Sequence, residues 1–229
     1  MSSARQFRWS SGGLAALALA WLLGACATTE QTSGASPAGF LRNYSQLQPG
    51  GEDEAQLVFI HPSVDWGYYD RVMIDPVTLW YGEDSDLSRV PREDLQALAD
   101  YLHWKLETAL EIDYTIADRP GAGVLRIRAA ITAAKGSNVM LDMLSTLGPQ
   151  RILSQAKKLV TGTHAFVGRA AIEAEILDSL SGARLAAMVD ERAGGTAASG
   201  VTDKWSDVIE AYGYWADRLR LRLAGLRAR

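Results

Sequence analysis

The sequence predicts an α+β domain: a mostly antiparallel sheet of about six strands with two amphipathic helices on one face. Three observations carry that expectation. From Val124 to Ala133 the residues Leu125, Ile127, Ala129 and Ile131 alternate with Arg126, Arg128, Ala130 and Thr132, the period of a half-buried strand. Leu95, Leu98, Ala99, Leu102, Leu106, Ala109 and Leu110 recur at helical spacing. A second helical stripe closes the chain, through Trp205, Val208, Ile209, Tyr212, Ala216, Leu219, Leu223 and Leu226. Helices separated by antiparallel strand pairs bury their apolar stripes against one sheet face.

The first element is a targeting segment. Arg5 and Arg8 precede an apolar run from Leu14 to Leu23, which is too short to span a bilayer and reads as a secretory signal over residues 1–25. It ends in Leu23-Gly24-Ala25-Cys26, which resembles the lipobox of bacterial lipoproteins. Cys26 is the only cysteine in 229 residues, so the thiol falls where a thioether-linked lipid is made. The resemblance implies a lipidated N-terminus at Cys26, with acyl chains as a firm membrane anchor. Ala27, rather than Asp, follows the cysteine, which by the sorting rules of such proteins implies the outer membrane. Residues 26–39 are Thr-, Ser-, Gly- and Ala-rich without apolar period, so the lipidated cysteine is expected to lead into a flexible linker spanning on the order of 20 Å. One domain then fills residues 40–229.

Composition narrows the function classes. Loss of the signal removes Arg5 and Arg8, leaving 21 basic against 27 acidic residues, a formal charge of −6. That balance argues against a nucleic-acid partner, which would select a basic face. A lone cysteine committed to lipid leaves neither an internal disulfide nor a cysteine zinc cage, so stability must come from the core.

Within the domain, Gln56 to Pro62 is a compact β run, and Tyr69 to Trp80 a second that Pro76 interrupts by removing a ladder donor; the two are expected to pair. Pro91 opens the first helix, with Glu93 and Asp94 complementing its dipole. Tyr114 to Ala117 is a short strand, Pro120-Gly121 a turn, and the Val124 strand follows. Alternation returns over Ala170 to Leu177, where Ile172, Ala174 and Ile176 face in and Glu173 and Glu175 are expected to face out. Leu185 to Arg192 repeats it weakly, across a tight turn at Ser181-Gly182 with Asp178 placed to bond the turn backbone. Asp203 is a suitable N-cap for the last helix.

Between two good strands lies an insertion, 138–162. Val139, Met140, Leu141, Met143, Leu144 and Leu147 are nearly continuous, and Pro149 ends the run. Packing over the sheet is the simpler reading, and a partner- or membrane-facing contact through Met140, Leu144 and Leu147 is the alternative. Trp66, Tyr68, Tyr69, Trp80 and Tyr81 lie at strand ends and could form a binding platform, although core and edge packing is the plainer role. His61, Ser63 and Asp65 fall on one strand face as a row, without the nested geometry or Gly-x-Ser-x-Gly elbow that a triad requires. Asp70 and Asp75 fall on opposite faces and do not pair as acids. His61, His103 and His164 are scattered, so no metal site or cofactor is expected.

Gly39-Phe40-Leu41-Arg42-Asn43-Tyr44-Ser45-Gln46-Leu47, the Ile74-Asp75-Pro76-Val77 stretch, and Glu173 to Gly182 with Asp178 together resemble the bacterial lipoprotein family known as domain of unknown function 3313. The resemblance implies an envelope compartment and no catalytic residues. The expectation is a non-enzymatic outer-membrane lipoprotein acting as a binding or envelope-assembly module, with another envelope protein as partner. A cell-wall or lipid-acting enzyme and an oligomeric component of a transport complex are the alternatives.

Overall fold

The computed structural model of the protein describes residues 29–32, 34–82, 85–136, 168–194 and 205–229. The signal segment, Cys26, Asp203, His164 and the 138–162 insertion with Met140, Leu144 and Leu147 lie outside the described residues.

Nine strands form one mixed, mostly antiparallel sheet: β1 (Thr29–Gln31), β2 (Gln48–Pro49), β3 (Leu57–Ile60), β4 (Arg71–Ile74), β5 (Thr78–Leu79), β6 (Thr115–Ile116), β7 (Val124–Lys135), β8 (Arg169–Asp178) and β9 (Arg184–Gly194). The two α-helices are α1 (Arg92–Leu110) and α2 (Ser206–Arg227). The strand order is β2-β3-β9-β8-β7-β4-β6, with β1 on β9 and β5 on β7. Three additions separate nine from about six. Pro76 divides the expected Tyr69–Trp80 strand into β4 and β5, which run parallel to β7 at successive positions, and β1 and β2 are new.

The expected pairing of the first two strands is overturned. β3 lies antiparallel to β9, whereas β4 lies parallel to β7 and β6 on the other side of the sheet. Adjacency in sequence does not dictate pairing when the intervening turn, here Trp66–Tyr68, carries the chain across to a distant edge. Within the stretch expected as a linker, Thr29–Gln31 form a strand. Thr29, Glu30 and Gln31 pair with Gly194, Ala193 and Arg192, and Thr29 is buried. Backbone pairing at a sheet edge needs no apolar period, so composition alone could not reveal it.

Both helices cover one sheet face. All seven residues of the α1 stripe are buried, and Val208, Tyr212, Ala216, Leu223 and Leu226 of α2 join them over Ala129, Ile131 and Ile172. Full burial of side chains such as Leu102 and Ile131 contributes about 1.5–3 kcal/mol each. Asp207, in the first turn of α2, accepts from the Gly168 backbone N–H at 2.7 Å, which registers the helix against the start of β8. At the opposite end of β8, Asp178 accepts from Ser181 N at 2.8 Å and Ser181 Oγ at 2.7 Å, while Gly182 takes a φ of 70° that favours glycine. These N–H and O–H donors hold the Asp178 carboxyl below its ordinary range.

Candidate functional site

The face of the sheet turned away from the helices is covered by chain from Ala35 to Leu47, here called the strap. Phe40, Leu41 and Leu47 bury their side chains on Ala130, Ala187 and Val189. Glu173 points into this layer and is fully buried, and Glu175 is 5% exposed, so neither faces water as the alternation alone predicts. The strap supplies their partners. Glu173 accepts from Ala38 N at 2.5 Å, Leu41 N at 3.1 Å and the Tyr44 hydroxyl at 2.6 Å. Glu175 pairs with Arg128 at 2.5 Å and Arg184 at 2.8 Å, and Arg184 also donates to the carbonyls of Leu41 and Asn43, each at 2.7 Å. Burial, and then the hydrogen bond to Glu173, push the Tyr44 phenol up to about 12. A carboxylate under an apolar layer is stable only when donors of this kind surround it.

The strap bends at Gly39, whose φ of 103° suits glycine, and at Arg42, a non-glycine residue at φ 60°. Trp80 closes the end, donating its indole N–H to Ala38 O at 2.8 Å and meeting Phe40 edge-on at 5.7 Å.

The five aromatics considered as one platform are not brought together. Trp66 and Tyr69 are buried in the helix-side core, and Trp80 packs on the strap side. Only Tyr68 and Tyr81 are largely exposed. Core packing won because Trp66 and Tyr69 fill the space below α2 beside Leu223 and Leu226. His61 is exposed and its Nδ1 accepts from Ser63 N at 3.3 Å, and Asp65 accepts from Gly67 N at 3.1 Å to cap a short turn. Asp75 is held by Arg126 at 2.7 Å. Among the described residues no group of three or more His, Cys, Asp or Glu is placed to hold a metal, and no helix is long and apolar enough to cross a membrane.

The helix side contains a cavity of about 320 Å³ between α2 and the strands β3, β8 and β9. Its floor is small and aliphatic: Val58, Ala174, Ala186 and Met188 lie beneath Trp215 and Leu219 of the helix. The alanines create the space. On β8 the inward positions read Ile172, Ala174, Ile176, so the central one lacks the side chain that its neighbours use to reach the helix. One end is sealed by Asp190, 1% exposed, which accepts from Trp215 Nε1 at 2.7 Å, Gln31 Nε2 at 2.7 Å and Gln56 N at 3.2 Å. At the mouth Arg218 pairs with Asp53 at 2.6 Å and Arg222 pairs with Glu54, with Arg229 beside them. Sequence periodicity placed Leu219 and Leu223 on a buried stripe but gave no sign of Trp215 or the arginines. The signal available was the isolated Ala174 between two isoleucines.

Most of the strap and the floor of the cleft fall within a single sequence family. A profile of proteins of unknown function (DUF3313) matches residues 36–219, from the strap into α2. The chain is a member of the DUF3313 family. No curated protein matches this DUF3313 chain. Among solved structures, a PelC dodecamer from Paraburkholderia phytofirmans is 12% identical, with 71% of this chain and 94% of that chain covered at a TM-score of 0.38. Another PelC dodecamer from the same organism, in a different crystal form and without the single substitution that the first carries, is 11% identical over 70% and 95%, at 0.37. A candidate lipoprotein from Caulobacter crescentus CB15 is 16% identical over 57% and 83%, at 0.32.

Proposed function

We propose that this DUF3313 protein is a lipid-anchored, non-catalytic binding module of the bacterial cell envelope, and that the cleft beneath α2 holds its ligand. The carrying observation is the cleft itself: about 320 Å³, floored by alanine and aliphatic side chains, with arginines at the mouth. Ligand sites are concave and mostly apolar, with a few polar groups fixing orientation. An aliphatic slot favours an acyl chain, and Arg229 at its opening, beside the Arg218–Asp53 and Arg222–Glu54 pairs, offers a guanidinium to an anionic head. The Leu23-Gly24-Ala25-Cys26 motif supports the lipid anchor, and Ala27 supports the inner leaflet of the outer membrane as its destination.

Brominated long-chain fatty acid, added to the purified full-length protein in detergent, tests the site through the fluorescence of Trp215, which lines the cleft. Saturable quenching is the expected result. Ala174→Phe, which fills the space with little strain because the volume is empty, is expected to abolish that quenching and leave the melting temperature unchanged or raised. Equal quenching of wild type and Ala174→Phe would remove the cleft as the binding site.

A further inference from the structure

We infer that the sheet end carrying Thr29, Gly136, Gly168 and Gly194 rests against the bilayer, so that the domain is held in a fixed orientation rather than swinging on a linker. The inference rests on the reading of Cys26 as the lipidated residue. Its structural ground is the way the chain is pinned just after that cysteine.

Thr29 is 4% exposed and paired in register with Gly194. The buried Arg192 guanidinium donates to Thr29 O at 2.5 Å and to Thr29 Oγ1 at 3.2 Å, and lies 3.7 Å over the ring of Tyr214 on α2. A buried guanidinium stacked on an aromatic ring and bonded to main chain resists displacement, since its release would leave a buried charge without these partners. Beyond it, Gln31 is bonded to Asp190 and to Glu54 O. The tether is therefore only the three peptide units from Cys26 to Thr29, which reach at most roughly 10 Å when fully extended. An acylated Cys26 sits at the level of the lipid headgroups, so Thr29 and its neighbours must lie close to that surface.

Register identifies the rest of that end. Lys135 pairs with Arg169, Arg169 with Ala193, and Thr29 with Gly194. The first turn of α2 is there too, through Asp207 and Gly168. The Asp178–Gly182 turn lies at the other end of the same strands, roughly 30 Å away at about 3.3 Å per residue. Leu223 and Leu226 of α2 pack with Leu125, Ile176 and Leu185 near that distal end.

The test uses full-length lipidated protein with a thiol-reactive environment-sensitive fluorophore at one added cysteine, in Lys135→Cys or Leu180→Cys, both positions being exposed. Each is reconstituted into phosphatidylethanolamine–phosphatidylglycerol vesicles containing a nitroxide on a fraction of the headgroups. Quenching several-fold stronger at position 135 than at 180 is expected, and ten Gly/Ser residues inserted between Ala27 and Thr28 are expected to erase the difference. Equal quenching at both positions without the insertion, or stronger quenching at 180, would overturn the orientation. Flotation of the same vesicles keeps the two readings apart: protein that floats but shows equal quenching refutes the orientation alone, and protein that fails to float refutes the anchor on which it rests.

Discussion

Tyr44 donates its hydroxyl to Glu173 across 2.6 Å, joining two residues 129 positions apart in the chain and fastening the strap to the middle of β8. The bond completes a set of three donors around a fully buried carboxylate, with Leu41 N and Ala38 N as the others. Strap and sheet therefore specify each other. Without the strap Glu173 would be a charge facing bare alanine and valine, and without Glu173 the strap would carry buried N–H and O–H groups with no acceptor.

Glu173→Ala is expected to destabilise the domain by about 3 kcal/mol or more, since each buried donor left unpaired costs about 1–3 kcal/mol. Tyr44→Phe removes one bond and leaves the carboxylate with two donors, so its cost should be about 1–2 kcal/mol. Denaturant unfolding gives the two values. Limited proteolysis adds a local readout: cleavage between residues 35 and 47 should accelerate in Glu173→Ala before the rest of the domain is cut.

Alkaline pH should loosen this contact and a second one of its kind, the hydrogen bond that the Tyr69 hydroxyl donates to Asp178 at 3.1 Å. Burial, followed by the partner carboxylate, raises the phenols of Tyr44 and Tyr69 from 10.0 to about 12. The unfolded chain releases these protons near 10 while the folded chain keeps them, so ionisation favours unfolding. Their stabilising contribution is complete below pH 10 and is lost as pH rises from 10 to about 12. Melting temperature measured across that window should fall, and the fall should be shallower in the Tyr44→Phe, Tyr69→Phe double variant. An identical slope in both proteins would remove these two phenols as its cause.

The parts of the fold legible in the sequence were those where side-chain period alone decides burial. The seven α1 positions, the β7 alternation and the Asp178–Gly182 turn needed nothing beyond local chemistry. The strap and β1 were hidden because their order comes from distant polar partners: Glu173, Arg184 and Arg192 lie 132, 143 and 163 positions away from the residues they hold. Alternation correctly put Glu173 and Glu175 on the face opposite Ile172 and Ile176. It could not show that this second face is covered, because the covering segment has no secondary structure of its own. The cleft was invisible for a different reason: an absence of side-chain volume at Ala174 and Ala186 has no periodic signature.

Tyr212 is buried with its hydroxyl unpartnered among the described residues, stacked between Tyr101 and Trp215 at 6.5 and 5.8 Å. Burial alone drives its phenol above the ordinary range. Removing an oxygen that was desolvated without compensation should not be costly, so Tyr212→Phe is expected to be neutral or stabilising by about 1 kcal/mol. A loss of more than about 1 kcal/mol in denaturant unfolding would reveal a hydrogen-bond partner for this hydroxyl.

Cys26→Ala should leave the domain folded and release it from membranes, because the acyl chains are the strong anchor in this reading. Circular dichroism and cell fractionation check the two halves of the statement. Retention of the variant in the membrane fraction after a high-salt wash would point to a second point of attachment.

The two leucines of α2 that share a helical stripe should respond differently to the same charge. Leu223 is 1% exposed and packs into the core with Trp66, Leu125 and Ile176. Leu223→Asp puts an unpaired carboxylate there and should cost several kcal/mol, enough to unfold a domain of ordinary stability. Leu219 lies one turn earlier, half-buried at the wall of the cleft, near Arg218 and Arg222 at its mouth. A carboxylate at 219 can stay hydrated in the opening and approach those guanidinium groups, so Leu219→Asp should cost only about 1–2 kcal/mol. It should nevertheless abolish acyl-chain binding, since it places a charge where the chain would lie. Thermal melts and fatty-acid quenching on both variants separate the outcomes. If Leu219→Asp unfolds the protein as readily as Leu223→Asp, α2 is sealed against the sheet along its whole length and the cleft is closed in solution.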